Sequence, residues 1–153
     1  MMYELYADGS AQTQTREGGW AFAIIQDGEL LYSDSGAATN TTNNRMELMG
    51  VIRGLRMLDP TVAKVTVISD SAYVVNCFKQ KWYVQWKARS WRNAAGKEVK
   101  NRDLWEELFS LVEMYKHPIA WVHVNGHAGH KWNEYCDSLC RAAYQHGGAL
   151  DIW

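Results

Sequence analysis

The sequence predicts an α/β fold in which several helices pack on one mixed β-sheet. Short apolar runs rich in β-branched and aromatic residues alternate with longer segments of helical periodicity. Their order along the chain is βββαβααβα, which is typical of a mixed sheet with helices on it. The chain has 153 residues, 47% of them hydrophobic and 22% charged, and these values fit one globular domain. We expect that domain to span residues 1–146 and residues 147–153 to form a flexible tail.

The first three predicted strands form an antiparallel meander. Residues 3–7 alternate in polarity and run into the turn Asp8-Gly9-Ser10. Residues 20–26 are apolar and rich in strand-forming side chains. Asp27-Gly28 then provides a hairpin signal, and residues 30–38 return as the third strand.

A long amphipathic helix follows the meander. Apolar residues recur at three-residue spacing from Met46 to Leu55, and Leu58 extends the same face. Several N-cap residues precede Arg45, and Asp59-Pro60 closes the helix. The remaining predicted elements are a strand over 65–70, helical pieces over 72–78 and through the basic segment described next, a helix over 102–115, a strand over 119–124 and a helix over 133–145.

The net charge of −1 conceals an uneven distribution of charge. Half of the 16 basic residues fall within residues 79–102, where Glu98 is the single acid. These basic residues are Lys79, Lys81, Lys87, Arg89, Arg92, Lys97, Lys100 and Arg102. A charge run of this kind is often only a solvated face. Trp82, Trp86 and Trp91 lie in the same segment, however, and cations beside aromatic rings suit a surface for phosphates and stacked bases.

The cysteine pattern and the lengths of the apolar runs indicate in which cellular compartment the protein is expected. Cys77, Cys136 and Cys140 form no CxxC pair, which disfavours a disulfide framework or a four-cysteine zinc site. The longest apolar run, residues 20–25, is far shorter than the ~20 residues that span a bilayer, and residues 1–10 lack the features of a secretory signal. We therefore expect a cytoplasmic protein without membrane contact. No heptad repeat is present, and we expect a monomer.

Four acids stand at positions where α/β proteins place function. Asp8 and Asp70 end predicted strands, Glu47 lies in the first turns of a helix, and Asp137 lies on the last helix. Carboxylates brought together raise one another's pKa unless a cation is present. Hard oxygen ligands without histidine or cysteine favour Mg²⁺ or Mn²⁺ over zinc. Spacing alone leaves open the alternative that these are four separate surface acids.

Two histidines, His127 and His130, lie in the glycine-bearing loop GHAGH. Without an HExxH motif or paired cysteines, this spacing is a weak indication of zinc. Proton transfer suits a loop histidine better, because the pKa of imidazole lies near neutrality.

Five stretches occur together in one order: YADGS (6–10), TTNNRMEL (41–48), SDSAYV (69–74), residues 82–105, and VNGHAGH (124–130) with the Asn-Glu and Asp that follow. In this order they resemble type 1 ribonuclease H, in its small bacterial form. The resemblance covers nearly the whole chain, to about Tyr144. TTNNRMEL and GHAGH are its most specific motifs.

The resemblance implies a ribonuclease H-like α/β fold, with a mixed five-stranded sheet of order 3-2-1-4-5, flanking helices and a basic helical protrusion over residues 79–102. The implied activity is endonucleolytic, sequence-independent hydrolysis of the RNA strand of an RNA–DNA hybrid, leaving 5′-phosphate and 3′-hydroxyl ends. Asp8, Glu47, Asp70 and Asp137 match the family's catalytic metal-binding carboxylates, which hold two Mg²⁺ ions, with Mn²⁺ as a substitute. His127 matches the family's mobile histidine, which is linked to proton transfer or product departure.

The resemblance also assigns residues to the substrate. Asn43 and Asn44 match positions that contact the minor groove of the hybrid, and Thr42 matches a DNA-phosphate contact. The basic protrusion, with its tryptophans, resembles the part of the family that grips the DNA strand. The full set expected to contact substrate is Gly9, Ser10, Thr42, Asn43, Asn44, Asn76, Lys79, Lys81, Trp82, Trp86, Lys87, Arg89 and Lys100.

Two stretches depart from the family pattern. Residues 11–17 read AQTQTRE, where many bacterial members have a loop of the Gly-Asn-Pro-Gly kind that supplies an RNA-contacting asparagine. Gln12 or Gln14 is a candidate replacement, or the contact is absent. Ala72 and Asn76 stand where longer amides are common.

Two competing interpretations of the function remain. One is another nuclease of this fold, such as a junction resolvase or an integrase-like enzyme, and the other is a non-catalytic hybrid-binding module. The motif set argues against the first, and the four acids argue against the second.

Overall fold

The computed structural model describes residues 2–125 and 130–145, and its centre is one mixed β-sheet. The strands are β1 (Met2–Ala11), β2 (Gly18–Gln26), β3 (Glu29–Ala38), β4 (Lys64–Ser69) and β5 (Ala120–His123). Their spatial order is β3-β2-β1-β4-β5. The first three strands pair antiparallel, β4 runs parallel to β1, and β5 runs parallel to β4. The five-stranded mixed sheet and its strand order are therefore confirmed.

Helices connect and flank the strands. Within the described residues they are α1 (Asn43–Leu55), α2 (Ala72–Lys79), α3 (Trp82–Ala88), α4 (Arg102–Met114) and α5 (Lys131–Gln145). None of these helices combines the length and the apolar character that crossing a bilayer requires. The predicted tail at residues 147–153 lies outside the described residues.

Strand β2 is buried on both faces of the sheet. Trp20, Phe22 and Ile24 point into the large core that α1 and α4 cover, whereas Ala21, Ala23 and Ile25 point to α5. Small side chains on the second face let α5 lie close to the strand. Gly19 makes this approach possible, since a Cβ there would collide with the backbone carbonyl of Cys140.

Strand β1 is longer than the sequence pattern predicts, and this changes the position of Asp8. The parallel pairing with β4 ends at Tyr6 opposite Ile68, but the antiparallel pairing with β2 continues to Ala11 opposite Gly18. The prediction that Asp8 ends its strand is therefore wrong, because β1 continues to Ala11. Asp8 lies just beyond the point where β4 leaves β1, because a hairpin can extend past the end of its parallel neighbour.

The basic segment is less helical than expected. Helix α3 covers only its first part, and the rest is a turn structure with one isolated bridge between Arg92 and Glu98. Asn93 directs this turn, because its side-chain oxygen accepts from the backbone N–H groups of Ala95 and Lys97, at 2.9 and 3.0 Å. The first helix is also shorter than predicted, since α1 ends at Leu55 rather than at Leu58.

Candidate active site

The four predicted acids converge on one open groove. Asp8 lies on β1, Glu47 on α1, Asp70 directly after β4, and Asp137 on α5. All four line the same depression, which has a volume of about 360 Å³. Carboxylate oxygens of Asp8, Glu47 and Asp70 lie within 4.8 Å of one another. Separate surface acids would not meet in this way, and that alternative is excluded for these residues.

Gly9 holds the two most buried acids together. Its backbone N–H donates to Oδ1 of Asp8 at 2.8 Å and to Oε1 of Glu47 at 2.9 Å. A Cβ at this position would collide with the backbone of Met46 and Glu47. A glycine is therefore required for the first turns of α1 to approach β1 closely enough to bring Glu47 to Asp8.

Burial and mutual repulsion make this cluster hard to ionise. The side chains of Asp8 and Glu47 are only 4% and 7% exposed. Burial raises the pKa of Asp8 to about 6, and the charges of Asp70 and Asp137 add to the rise. The pKa of Glu47 is raised well above its usual value, first by burial and then by its hydrogen bond to Asp8. A bound cation would therefore stabilise the ionised form of these carboxylates.

The donor set fits a hard divalent cation. Asp8, Glu47 and Asp70 each offer a carboxylate oxygen to a common point, and Asp137 lies close to Asp8. Cys140 is also near Asp8 and Asp137, but burial raises the pKa of its thiol to about 12, so it remains a protonated neighbour. The acids of this site could therefore hold a metal ion, and their oxygen ligands favour Mg²⁺ or Mn²⁺.

The asparagine-bearing segment at the start of α1 lies at the rim of the groove. Thr42 caps the helix, and its Oγ1 accepts from the N–H of Arg45 at 3.2 Å. The side-chain oxygen of Asn43 accepts from the N–H of Ala11 at 2.5 Å, which ties α1 to β1. Asn44 is exposed.

The other residues expected near substrate are placed as follows. Gly9 and Ser10 line the groove, and the Ser10 hydroxyl donates to the Tyr144 hydroxyl at 3.2 Å. Asn76 is half-buried on α2. His127 lies outside the described residues.

The basic side chains of the protrusion differ in how free they are. Those of Lys79, Lys81, Arg89 and Lys100 are exposed, and within the described parts of the chain no ion pair engages them. Lys87, by contrast, pairs with Glu113 at 3.5 Å. The predicted cationic surface thus consists mainly of the four side chains without an ion pair, Lys79, Lys81, Arg89 and Lys100.

The tryptophans of the protrusion form its internal packing. Trp82 and Trp86 are both half-buried, with ring centroids 6.1 Å apart. Trp86 also meets the buried ring of Trp105 on α4 edge-on, at 5.4 Å. These rings attach α3 to the core of the domain.

Sequence reasoning did not single out Ser69, which is a neighbour of the cluster. The Ser69 hydroxyl donates to Oε2 of Glu47 at 3.4 Å and accepts from the N–H of Ser71. Its only signal in the sequence was its place beside Asp70 at the end of a strand.

An α/β domain that gathers four carboxylates in one groove, with a basic protrusion on the same chain, is of the class of carboxylate-cluster nucleases. The ribonuclease H (RNase H) family model matches residues 2–145. The chain belongs to the ribonuclease H family of enzymes.

Relatives of similar length share much of the sequence. Ribonuclease H of Nitratidesulfovibrio vulgaris (strain DP4) is 44% identical over 139 residues, which cover 90% of this chain and 86% of the relative. Ribonuclease H of Acetivibrio thermocellus is 42% identical over 135 residues, or 88% of this chain and 89% of the relative.

Solved structures share the fold. LC9-RNase H1, a type 1 RNase H with the type 2 active-site motif, has a TM-score of 0.80 and 31% identity, covering 96% of this chain and 72% of that one. LC11-RNase H1, solved in complex with an RNA/DNA hybrid, has a TM-score of 0.75 and 21% identity, covering 95% of this chain and 98% of that one.

Proposed function

We propose that this protein hydrolyses the RNA strand of RNA–DNA hybrids with two divalent cations, independently of sequence, and leaves 5′-phosphate and 3′-hydroxyl ends. The observation that carries the proposal is the meeting of Asp8, Glu47 and Asp70 within 4.8 Å, in a chain of the ribonuclease H family. The hybrid-bound LC11-RNase H1, which shares the fold, supports a hybrid as the substrate.

Asp8, Glu47, Asp70 and Asp137 would hold the cations, for which Mg²⁺ is our choice and Mn²⁺ the substitute. When bound, a pair of such ions activates a water and stabilises the leaving oxygen in a displacement at phosphorus. The protein keeps the carboxylates aimed at this point: the N–H of Gly9 and the hydroxyl of Ser69 hold Glu47 from two sides. His127 supplies the group that moves a proton or assists product departure.

Selection of RNA requires a reader of the 2′-hydroxyl, which the minor groove of a hybrid exposes. Asn43 and Asn44 are suited to this role, because an amide supplies both donors and acceptors. The hydrogen bond from Ala11 occupies the oxygen of Asn43 and leaves its NH₂ group to donate. Ser10 and Asn76 would complete the contacts near the groove.

The basic protrusion would add affinity that does not depend on sequence. Lys79, Lys81, Arg89 and Lys100 are free to neutralise phosphates, and Lys87 would join them on leaving Glu113. Trp82 and Trp86 support this surface and offer ring edges to the substrate.

We further propose that one domain over residues 1–146 works as a monomer in the cytoplasm. All four acids come from one chain, so no second copy is needed to complete the cluster. Cys77, Cys136 and Cys140 are buried free thiols, which agrees with a reducing compartment.

The decisive experiment replaces Asp70 by Asn and assays hybrid, duplex RNA and duplex DNA with Mg²⁺, with and without EDTA. Asp70→Asn removes an anionic ligand at nearly constant size, so we expect turnover on the hybrid to fall by at least about 10³-fold. Asp27→Asn is the matched control, because Asp27 lies in the β2–β3 turn, where φ is 52° and asparagine is tolerated.

The wild-type enzyme should cut only the RNA strand of the hybrid and stop in EDTA. Comparable cleavage of duplex RNA, activity in EDTA, or near wild-type turnover by folded Asp70→Asn would contradict the proposal.

A further inference from the structure

The four carboxylates of the groove differ in how they are held. The backbone N–H of Gly9 donates to both Asp8 and Glu47, at 2.8 and 2.9 Å. Asp137 has a donor of its own, an arginine one turn further along α5, at 2.7 Å. Within the described residues, by contrast, no group donates a hydrogen bond to the carboxylate of Asp70. The direction of that carboxylate therefore depends on the backbone that carries it.

Asp70 lies in a bend at the point where the sheet ends. The parallel ladder between β4 and β5 ends at Ser69 and His123, and the N–H of Val124 donates to the carbonyl of Ser69 at 3.0 Å. The chain then bends at Asp70 and enters α2, which Ser71 caps. No backbone N–H of the described segments donates to the carbonyl of Asp70. A bend outside the ladder is more mobile than a strand, and its motion would move the carboxylate.

The side chain of His123, the last residue of β5, contacts this bend. Its Nε2 lies 3.1 Å from the backbone carbonyl oxygen of Asp70. Because a carbonyl oxygen only accepts, Nε2 carries a proton and donates. The imidazole thus provides the hydrogen bond that no backbone group provides, and it ties Asp70 to β5. The side chain is exposed, so its place at the bend is not explained by packing in the core.

A second hydrogen bond holds the same bend from the side of the carboxylate cluster. The N–H of Ser71 donates to Oγ of Ser69 at 3.0 Å, and this hydroxyl donates to Oε2 of Glu47 at 3.4 Å. Ser69 therefore couples the bend to Glu47, and His123 couples it to β5. Together the two contacts favour the arrangement in which carboxylate oxygens of Asp70 and Glu47 lie within 4.8 Å.

We propose that His123 is a positioning residue of the cation site. Its Nε2–H holds the backbone of Asp70 so that the carboxylate faces the divalent cation, and the imidazole touches neither the cation nor the substrate. The role of Asp70 as a ligand rests on the proposed function. Metal ligands commonly depend on outer hydrogen-bond partners of this kind, and loss of such a partner weakens metal binding.

Two variants and one control test the proposal. His123→Phe removes the donor and keeps an aromatic ring, which strands tolerate. His123→Gln keeps a donor, because its side-chain NH₂ group can take the place of Nε2–H. His117→Phe is the matched control: it makes the same exchange just before β5, at the opposite end of that strand from His123.

The first measurement uses the metal-free protein in EDTA and needs no activity. Long-range ¹H–¹⁵N NMR spectra of the wild type should show a proton on Nε2 of His123. Hydrogen exchange at the N–H of Ser71 should be about 2- to 10-fold faster in His123→Phe than in the wild type, because the bend opens more often. An Nε2 without a proton, or equal exchange in the two proteins, would overturn the proposed contact.

The second measurement titrates each protein with Mn²⁺ alone and follows the electron paramagnetic resonance signal of the free ion. His123→Phe should bind Mn²⁺ about 2- to 10-fold more weakly than the wild type, whereas His123→Gln should recover most of the loss and His117→Phe should show none. Equal affinities of His123→Phe and the wild type, or no saturable binding by the wild type, would overturn the assignment. An equal loss in His117→Phe would show a general structural effect and overturn it as well.

The third measurement is steady-state cleavage of an RNA–DNA hybrid at a series of Mg²⁺ concentrations. His123→Phe should lower kcat at limiting Mg²⁺ and approach the wild type at high Mg²⁺, with an unchanged KM for the hybrid. A loss of kcat that Mg²⁺ does not restore would contradict a positioning role. Failure of the wild type to cut hybrid would instead overturn the proposed function, and the NMR and Mn²⁺ results would still decide the role of His123.

Discussion

Asp8 and Glu47 destabilise the metal-free protein at neutral pH. Each must either hold a charge in a buried place or keep a proton against its ordinary preference. The raised pKa of Asp8, about 6, is the measure of this cost. A site built to bind cations is unstable without them, and its stability should therefore depend on both pH and metal.

Asp8→Asn should make this dependence visible. The folded-state pKa of Asp8 lies above its unfolded value of 3.8, so its contribution to stability is fully present below about pH 4 and is lost as the pH rises through about 6. In EDTA, Asp8→Asn should therefore unfold at a higher temperature than wild type at pH 8, by the equivalent of roughly 1–3 kcal/mol, and show little difference at pH 4.

The melting temperatures of Asp8→Asn and the wild type, measured at both pH values with and without Mg²⁺, check this prediction. Mg²⁺ should raise the melting temperature of the wild type more than that of the variant. If Asp8→Asn were less stable than wild type at pH 8 in EDTA, the electrostatic account of the cluster would be wrong.

Single residues also show where sequence reasoning reached its limit. Asp8, Glu47, Asp70 and Asp137 were predicted as a set, and they do converge on one groove. Ser69 was not singled out as a partner of Glu47, because a serine at the end of a strand has no periodicity that reveals its partner. Its role depends on the way α1 folds against β4.

At the scale of elements, some residues of the basic segment pack or pair within the protein, and others are exposed and unpaired. Its composition alone does not tell the two groups apart. Its tryptophans attach α3 to the core, and some of its cations are engaged within the protein: Lys87 with Glu113, Arg102 with Glu106, and Arg92 with the carbonyl of Gly96. The exposed cations without such partners are the ones available to phosphates.

Replacing Arg89 and Lys100 together with Ala should weaken hybrid binding and raise KM about 3- to 10-fold, with kcat at saturating substrate nearly unchanged. Each lost phosphate contact should flatten the plot of log affinity against log salt by about 0.9. The double variant of Lys64 and Lys116, two exposed lysines outside this segment, is the control for net charge. Equal salt slopes for the two double variants would mean that the protrusion is only a solvated face.

At the scale of the whole molecule, Trp105 joins the protrusion to the core. It is fully buried, and its ring lies 5.2 Å from Tyr73 of α2, 5.4 Å from Trp86 of α3 and 5.6 Å from Phe109 of α4. Its Nε1–H donates to the Tyr73 hydroxyl at 2.8 Å. The attachment of α2 and α3 to α4 therefore depends in large part on the Trp105 side chain.

Trp105→Ala should lower the free energy of unfolding by about 3–5 kcal/mol, through lost burial and the cavity left behind. Hybrid KM should rise as well, because α3 loses its support. Trp132→Ala on α5, where the ring is half-buried and packs edge-on against Tyr135, should cost about 1 kcal/mol. Chemical denaturation measures both, and equal losses in the two variants would contradict the central place of Trp105.

The sequence by itself determined the class of fold, the order of its elements, the family and the four acids of the site. These follow from local information: alternation in strands, the helical spacing from Met46 to Leu55, and motifs of contiguous residues.

Tertiary structure alone decided that β1 continues past Asp8, that α1 ends at Leu55, and that most of the protrusion after α3 is not helical. Element ends and turn structures depend on pairing and packing between segments distant in the chain, as do the meeting of Thr41 with Arg16 and the raised pKa of Asp8. Burial and the approach of one charge to another are properties of the folded whole, and for that reason no local pattern predicts them.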